Sequence, residues 1–314
     1  MSDYPEVSVI MNCFNGAEYL REAIDSVYSQ TFSNWEIIFW DNASNDDSPK
    51  IARSYDSKLR YFRGEKTVPI GEARNYALQK TRGQYIAFLD CDDLWYPSKL
   101  EKQVPFFKNN PEVGVVYSDC NIIDENGQIT MQDIMNGQFY EGNVFEHMFK
   151  NMIVPAWPTV VMRKSSIDDV GMFANYSRAD DLDILLKIAY VSSFAAAKET
   201  LASYRVNSNQ LSKYYYKFLP EFISIYDYWS NRPDFNYPNK LQYISYNLSK
   251  QYCLCAESAF DLSDSIELVR EYLCKALRMS FSIKIFVLFC LSWLGLPKAR
   301  YFVKHIRSLL NRYR

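Results

Sequence analysis

Between Tyr85 and Pro97 the chain reads YIAFLDCDDLWYP: an apolar, β-friendly run leads straight into three carboxylates within four positions, Asp90, Asp92 and Asp93. Like charges this close repel, and each is costly to desolvate unless something compensates it. Two compensators suit the pattern. One is the solvated start of a helix beginning near Pro97, where acids are favoured. The other is a divalent cation. Asp90 and Asp92 are hard oxygen donors spaced by two, the ligand type that takes Mg2+ or Mn2+ bridging a pyrophosphate. Such an ion also stabilises a departing diphosphate.

Three further clusters suit the rest of a nucleotide diphosphate. In NCFN (Asn12–Asn15) the aromatic Phe14 can stack on a base. Asp41, at the head of DNASNDDSP, can accept the imino hydrogen that separates uracil and thymine from cytosine. Arg74, in GEARN (Gly71–Asn75), offers a guanidinium to a phosphate or a base carbonyl. Each has a plain structural alternative: Phe14 as core, Asp41 with Ser44 as an Asx-turn, Arg74 as a surface ion pair. A second acid group, Asp180, Asp181 and Asp183, heads the segment RADDLDILLK. A single displacement needs a carboxylate to take the acceptor's proton, and Asp181 is the candidate. With only His147 and His305 in the chain, histidine is a poor source for that base. The alternative is favourable charge at a helix N-terminus.

These groups form one site only if the fold gathers them. Val7–Met11, Trp35–Trp40, Leu59–Phe62, Tyr85–Leu89 and Val113–Ser118 read as strands, and Tyr19–Tyr28, Gly71–Lys80 and Pro97–Lys108 as helices. The alternation predicts an α/β fold with a mostly parallel sheet, whose ligands bind beyond the carboxyl ends of the strands. All four clusters follow strand candidates and should converge on one rim. After Ser118 the rhythm changes: DENGQ (Asp124–Gln128) reads as a hairpin turn, Ala156–Met162 and Phe194–Ala197 as added strands, and Ser177–Val191 as a helix. From about Lys213 the pattern is helical, which predicts a catalytic domain over 1–212 and a helical extension over 213–314.

Charge divides the chain differently. The net charge of −2 combines nine Lys or Arg and no acid after Glu271 with a balance of −11 before it. Ser280–Leu296 is apolar but short for a bilayer span. The basic amphipathic stretch that follows it predicts docking on an anionic membrane face, a solvated helical appendage being the alternative. No nucleic-acid partner is expected. Seven cysteines without a paired framework, and no signal-peptide pattern before Val7, predict reduced thiols and a cytoplasmic protein, peripheral on the cytosolic face of the membrane.

The order VSVIMNCFNGAEYLREAIDSVYSQTF, WEIIFWDNASND, GEARNYAL, GQYIAFLDCDDLW resembles inverting glycosyltransferase family 2, of the GT-A fold, over roughly Pro5 to Ser212. The resemblance implies that Phe14 and Asp41 hold the base and that Arg74 lines the donor site. It places the DxD element on Asp90 and Asp92, with Asp92 the direct metal ligand and Asp90 nearer the ribose. It maps the general base onto Asp181. There are departures. Asp41-Asn42-Ala43-Ser44 stands where the family often has Asp-Asp-Gly-Ser, Asp180 replaces the commoner Glu, and Asn207 stands where a histidine is usual. No Q-x-x-R-W element of processive synthases is present, which favours single additions.

The resulting expectation is a metal-dependent (Mn2+ or Mg2+), inverting transfer of one sugar from a UDP- or dTDP-sugar to a glycan or lipid-linked acceptor, in surface polysaccharide synthesis. A sugar nucleotidyltransferase or a non-catalytic nucleotide-sugar-binding module is the alternative. The former usually brings a glycine- and lysine-rich phosphate loop, whereas NCFNGAEY has one glycine and no lysine.

Overall fold

The computed structural model of the protein describes residues 4–151, 154–207, 217–235, 238–262 and 265–295. Its sheet begins with β1 (Val7–Cys13), β2 (Trp35–Asp41), β3 (Leu59–Arg63) and β4 (Tyr85–Phe88), parallel and ordered β3-β2-β1-β4. Strands β1 and β2 are buried at every residue, which is why they read as near-continuous apolar runs: a parallel sheet is covered on both faces. Helix α1 (Ala17–Tyr28) sends Leu20, Ala23, Ile24 and Val27 into that core and leaves Glu18, Arg21, Glu22 and Asp25 in water. α2 (Ser48–Ala52) follows β2, and α3 (Ile70–Leu78) precedes β4.

Register matters most for the site. Cys13 pairs with Asp41, Asp41 with Arg63, and Ile10 with Phe88. The carboxyl ends of all four strands therefore lie along one rim, as the clusters required.

Beyond β4 the sheet is mixed. β5 (Leu94–Trp95), β6 (Val113–Ile123), β8 (Val161–Arg163) and β9 (Ser193–Arg205) continue it in the order β4-β8-β6-β9-β5. β8 runs antiparallel to β4 and β6, β9 is parallel to β6, and β5 is antiparallel to β9. The expected turn at DENGQ closes a hairpin between β6 and β7 (Ile129–Met131), with Gly127 at φ +77. The two-residue β5 was not expected, and β6 runs well past Ser118. Its continuation is polar yet buried, and it persists because each group is answered: Asp119 accepts the Cys120 and Met135 N–H groups at 2.8 and 2.9 Å, and Asn121 donates to the Tyr96 hydroxyl at 2.8 Å. Ala156–Met162, expected as a strand, divides into a 3-10 turn at Trp157–Thr159 and β8. The remaining helices of this part are α4 (Lys99–Asn109), α5 (Phe145–Asn151), α6 (Lys164–Val170) and α7 (Asp180–Val191).

The chain forms two compact units, 1–208 and 209–314. The expected boundary at 212/213 falls outside the described residues. The second unit contains α8 (Leu219–Asn231), α9 (Lys240–Leu262), α10 (Ile266–Met279) and α11 (Ile283–Ser292), with a core including Leu219, Ala256, Phe260, Val269 and Leu273. α10 starts at Ser265, whose hydroxyl accepts the Leu268 N–H at 3.2 Å, a side-chain N-cap. Among the described residues no helix is long and apolar enough to cross a membrane. All seven cysteines are reduced thiols.

Candidate active site

Phe14 lies one residue past β1 with 53% of its surface exposed, so it sits on the rim and is not core. Asp41 ends β2 and is fully buried. One carboxylate oxygen accepts the Ser44 N–H at 2.7 Å, and the other accepts the Tyr61 hydroxyl and the Arg63 guanidinium. The turn expected from Asp41 and Ser44 is therefore present, and β3 supplies partners that were not foreseen. Ala43 sits at φ 65, a left-handed conformation that glycine adopts without steric cost. That is the physical reason a glycine suits this place in the commoner Asp-Asp-Gly-Ser pattern.

The end of β4 is tied to β1. The Leu89 N–H donates to the Ile10 carbonyl at 3.1 Å, and the Cys91 thiol to the Asn12 carbonyl at 3.3 Å. Cys91 therefore turns inward between two acids. Asp90 is 39% exposed along its side chain, and Asp92 is half-buried. Asp93 is fully buried: one oxygen accepts the Arg205 N–H at 2.9 Å and the other has no partner. None of the three caps α4, whose N-cap is Ser98 and whose first-turn acid is Glu101. The helix-start compensator is thus not the one this structure uses.

Protein groups answer the acids only in part. Arg74 stands 3.6 Å from Asp90, and the Asn207 amide nitrogen donates to Asp92 at 3.0 Å. Asn207, standing where a histidine is usual, thus contributes a donor here. Burial, then the charge of Asp90, pushes the Asp92 carboxyl up to about 6 against the pull of Arg205 and Asn207. Burial, then Asp92 and Asp90, pushes Asp93 well above the usual carboxylate range.

Arg74 is buried, which excludes the surface ion pair. Its guanidinium pairs with Asp180 at the start of α7 and lies 4.2 Å over the Trp157 ring. Burial opposes its charge, but Asp180, Asp90 and Asp181 outweigh that and hold its pKa above the ordinary value. The rest of GEARN closes the same junction. The Asn75 amide exchanges two hydrogen bonds with the Phe173 backbone, at 2.9 and 3.0 Å. The Gly71 N–H donates to the Tyr176 carbonyl at 2.9 Å, and a Cβ on Gly71 would stand 1.9 Å from the Ala174 carbonyl oxygen. Only glycine permits that approach. α3 thereby fastens the loop that delivers Asp180 and Asp181.

Asp181 opens α7 half-buried, accepting the Leu182 N–H at 2.7 Å. Burial raises its pKa, and Arg74 opposes the rise. Asp180 is raised by burial too, again against Arg74, while Asp183 is spent on Lys187 at 2.6 Å. A carboxylate raised toward neutrality is a stronger base than an ordinary one.

A family model for glycosyl transferase family 2 matches residues 8–171. An uncharacterized glycosyltransferase of Methanocaldococcus jannaschii is 30% identical over 241 residues, covering 74% of this chain and 82% of that protein. The chain belongs to glycosyltransferase family 2. The Escherichia coli UDP-Glc:α-D-GlcNAc-diphosphoundecaprenol β-1,3-glucosyltransferase WfgD is 38% identical over 128 residues, 40% of this chain and 49% of its own length. Among solved structures, S. aureus TarS 1–349 with UDP-GlcNAc superposes with a TM-score of 0.67 at 18% identity, over 96% of this chain and 92% of that one. The mannosyltransferase PcManGT of Pyrobaculum calidifontis, in complex with GDP-Man and Mn2+, gives 0.61 at 17% identity, over 98% and 85%. The fold is the expected GT-A type with a C-terminal helical extension, and the protein is a glycosyltransferase. The nucleotidyltransferase and non-catalytic alternatives fall with that membership.

The glycosyltransferase has no group of three or more His, Cys, Asp or Glu side chains set to hold a metal among its described residues. Asp90 and Asp92 nonetheless fit a hard divalent ion that keeps places for substrate phosphate and water, and the upward push on Asp92 is the electrostatic deficit such an ion relieves. Arg205 was missed by the motifs. Its buried guanidinium donates to the Asp92 carbonyl at 2.8 Å and to Glu22 at 2.9 Å, and lies 4.3 Å over Tyr19. The available signal was its place at the end of β9, level with Ile123 at the end of β6. Where the segment after β7 meets β6 and β9, a small apolar recess is lined by residues including Tyr117, Tyr140, His147 and Phe194.

Proposed function

We propose that this glycosyltransferase moves one sugar, with inversion, from a UDP- or dTDP-sugar to a hydroxyl of a glycan or lipid-linked acceptor, using Mn2+ or Mg2+. The observation that carries the reading is the shared rim: strand ends in register present Phe14, Asp41, Asp90 and Asp92 together, and Arg74 joins that rim to the helix bearing Asp181. Phe14 stacks on the base, and Asp41, at the neighbouring strand end, accepts the base N–H. Asp92, assisted by Asp90, would hold the metal, which would neutralise the diphosphate and ease its departure. Arg74 keeps Asp90 and Asp180 in place while Asp181 takes the acceptor's proton as its oxygen attacks the anomeric carbon. Arg205 positions the acids through the Asp92 backbone. UDP-GlcNAc in the TarS structure and the lipid-diphosphate acceptor in the WfgD name support the donor and acceptor classes. The lipid-diphosphate acceptor in the WfgD name also supports a place in surface polysaccharide synthesis, and on this reading the enzyme works at the cytosolic face of a membrane.

The test is sugar-nucleotide turnover with and without Mn2+. Asp181→Asn is expected to lower kcat by about 10²–10⁴ while UDP still binds, and Asp92→Ala to lose both turnover and metal-dependent nucleotide binding. An Asp92→Ala enzyme with full Mn2+-dependent activity would sink the assignment. A thermal-shift panel of sugar nucleotides then identifies the donor, because a tight binder stabilises the fold by mass action.

A further inference from the structure

The reading above brings the enzyme to a membrane without saying which surface meets it. Helix α11 is apolar apart from Lys284 and the terminal Ser292. Ile285, Leu288 and Ser292 face the core of the second unit. The other side carries Ile283, Phe286, Val287, Cys290, Trp293 and Leu294, all exposed, at the i, i+3, i+4, i+7, i+10, i+11 spacing of one helical stripe. Phe281 and Met279 extend it backwards. Ile283 is 75% exposed, Phe281 71% and Trp293 64%. Scattered apolar side chains on a surface need no explanation, whereas a contiguous stripe marks an interaction site.

Charge selects the occupant. Arg278 and Lys284 are exposed beside the stripe, Lys284 sharing its charge with Glu257 at 2.7 Å. After Glu271 the chain holds nine Lys or Arg and no acid, against an acidic balance in all that precedes them. We propose that the exposed stripe of α11 is a membrane-docking face, lying in the plane of an anionic lipid surface. The stripe enters the headgroup boundary, and the cations beside it meet lipid phosphates. At ten residues α11 is about 15 Å long, so it lies on a bilayer and does not span it. An apolar face combined with attraction to anionic lipid is the physical basis of such binding.

The experiment uses the full chain and two vesicle preparations, phosphatidylcholine alone and phosphatidylcholine with phosphatidylglycerol at three to one. Wild type is expected to sediment with the anionic vesicles and far less with the neutral ones. Ile283→Ser with Phe286→Ser should weaken that binding at least about tenfold, with donor hydrolysis in solution unchanged. Unchanged sedimentation of the double variant overturns the proposal. So does equal binding to neutral vesicles, or a wild-type dimer in light scattering that the substitutions dissolve without any vesicle binding. Donor hydrolysis reports on the catalytic reading separately, so vesicle binding can be lost while that reading stands.

Discussion

The ends of β2 and β4 hand the chain over to carboxylates in opposite ways. Asp41 is buried, but the protein answers both oxygens with Ser44, Tyr61 and Arg63. Asp90, Asp92 and Asp93 form a cluster with more charge than its partners supply: one guanidinium 3.6 Å from Asp90, one amide on Asp92, and an unpartnered oxygen on Asp93. The fold itself holds the carboxylate at the end of β2 in a fixed place, whereas it leaves the group after β4 short of positive charge. Arg74 stands between the two cases, since it closes Asp180 fully and Asp90 only at a distance.

The contrast breaks first at Arg74. Arg74→Met leaves Asp180 buried without its cation, and removing one partner of a buried pair costs about 3–5 kcal/mol. Denaturant unfolding of the full chain measures it, and Asp180→Asn in the same background should recover part of the loss. A cost below about 1 kcal/mol would mean that the pair contributes no more than a surface one. Asp41→Asn comes next. It keeps one acceptor but weakens two contacts, and Arg63 is 40% exposed along its side chain, so about 1–3 kcal/mol is expected. Turnover should fall far less than in Asp92→Ala; an equal fall would erase the distinction between the two strand ends.

The smallest effect concerns a buried cation. Lys99 is fully buried, bonded to Gln103 at 2.6 Å and set 4.3 Å from the Trp95 ring. Burial holds its pKa well below the usual lysine value. Between its folded and unfolded pKa values the unfolded chain binds a proton that the folded one does not, so stability rises with pH across that window. Comparing wild type with Lys99→Met from neutral pH toward 10 should show wild type gaining on the variant as pH increases. Parallel curves would show that Lys99 stays charged, sustained by the Trp95 ring.

Much of this was legible in the sequence for one reason: buried parallel strands are apolar runs with polar ends, so VSVIMNCF, WEIIFWD and YIAFLD declare both element and rim. What was not legible depends on partners far along the chain. Arg74 meets Asp180 across 106 residues, and Arg205 meets Asp93 across 112. GEARN reads as a donor motif, and its glycine, arginine and asparagine prove to fasten α3 to the loop before α7. β5 and the polar half of β6 were hidden because their groups are satisfied by neighbours that no local pattern names.

That fastening also separates two kinds of change. The excursion from Asp133 to Gly142 hangs on β6 and β9: the Asp133 and Met135 N–H groups donate to Asn121 and Asp119, and Gly142 pairs with Phe194. It does not share the bolts at Gly71, Arg74 and Asn75. Exchanging this excursion between relatives would therefore alter that stretch alone and leave Asp181, the proposed base, on its original mounting, a modular division that a maker of chimaeric enzymes could exploit.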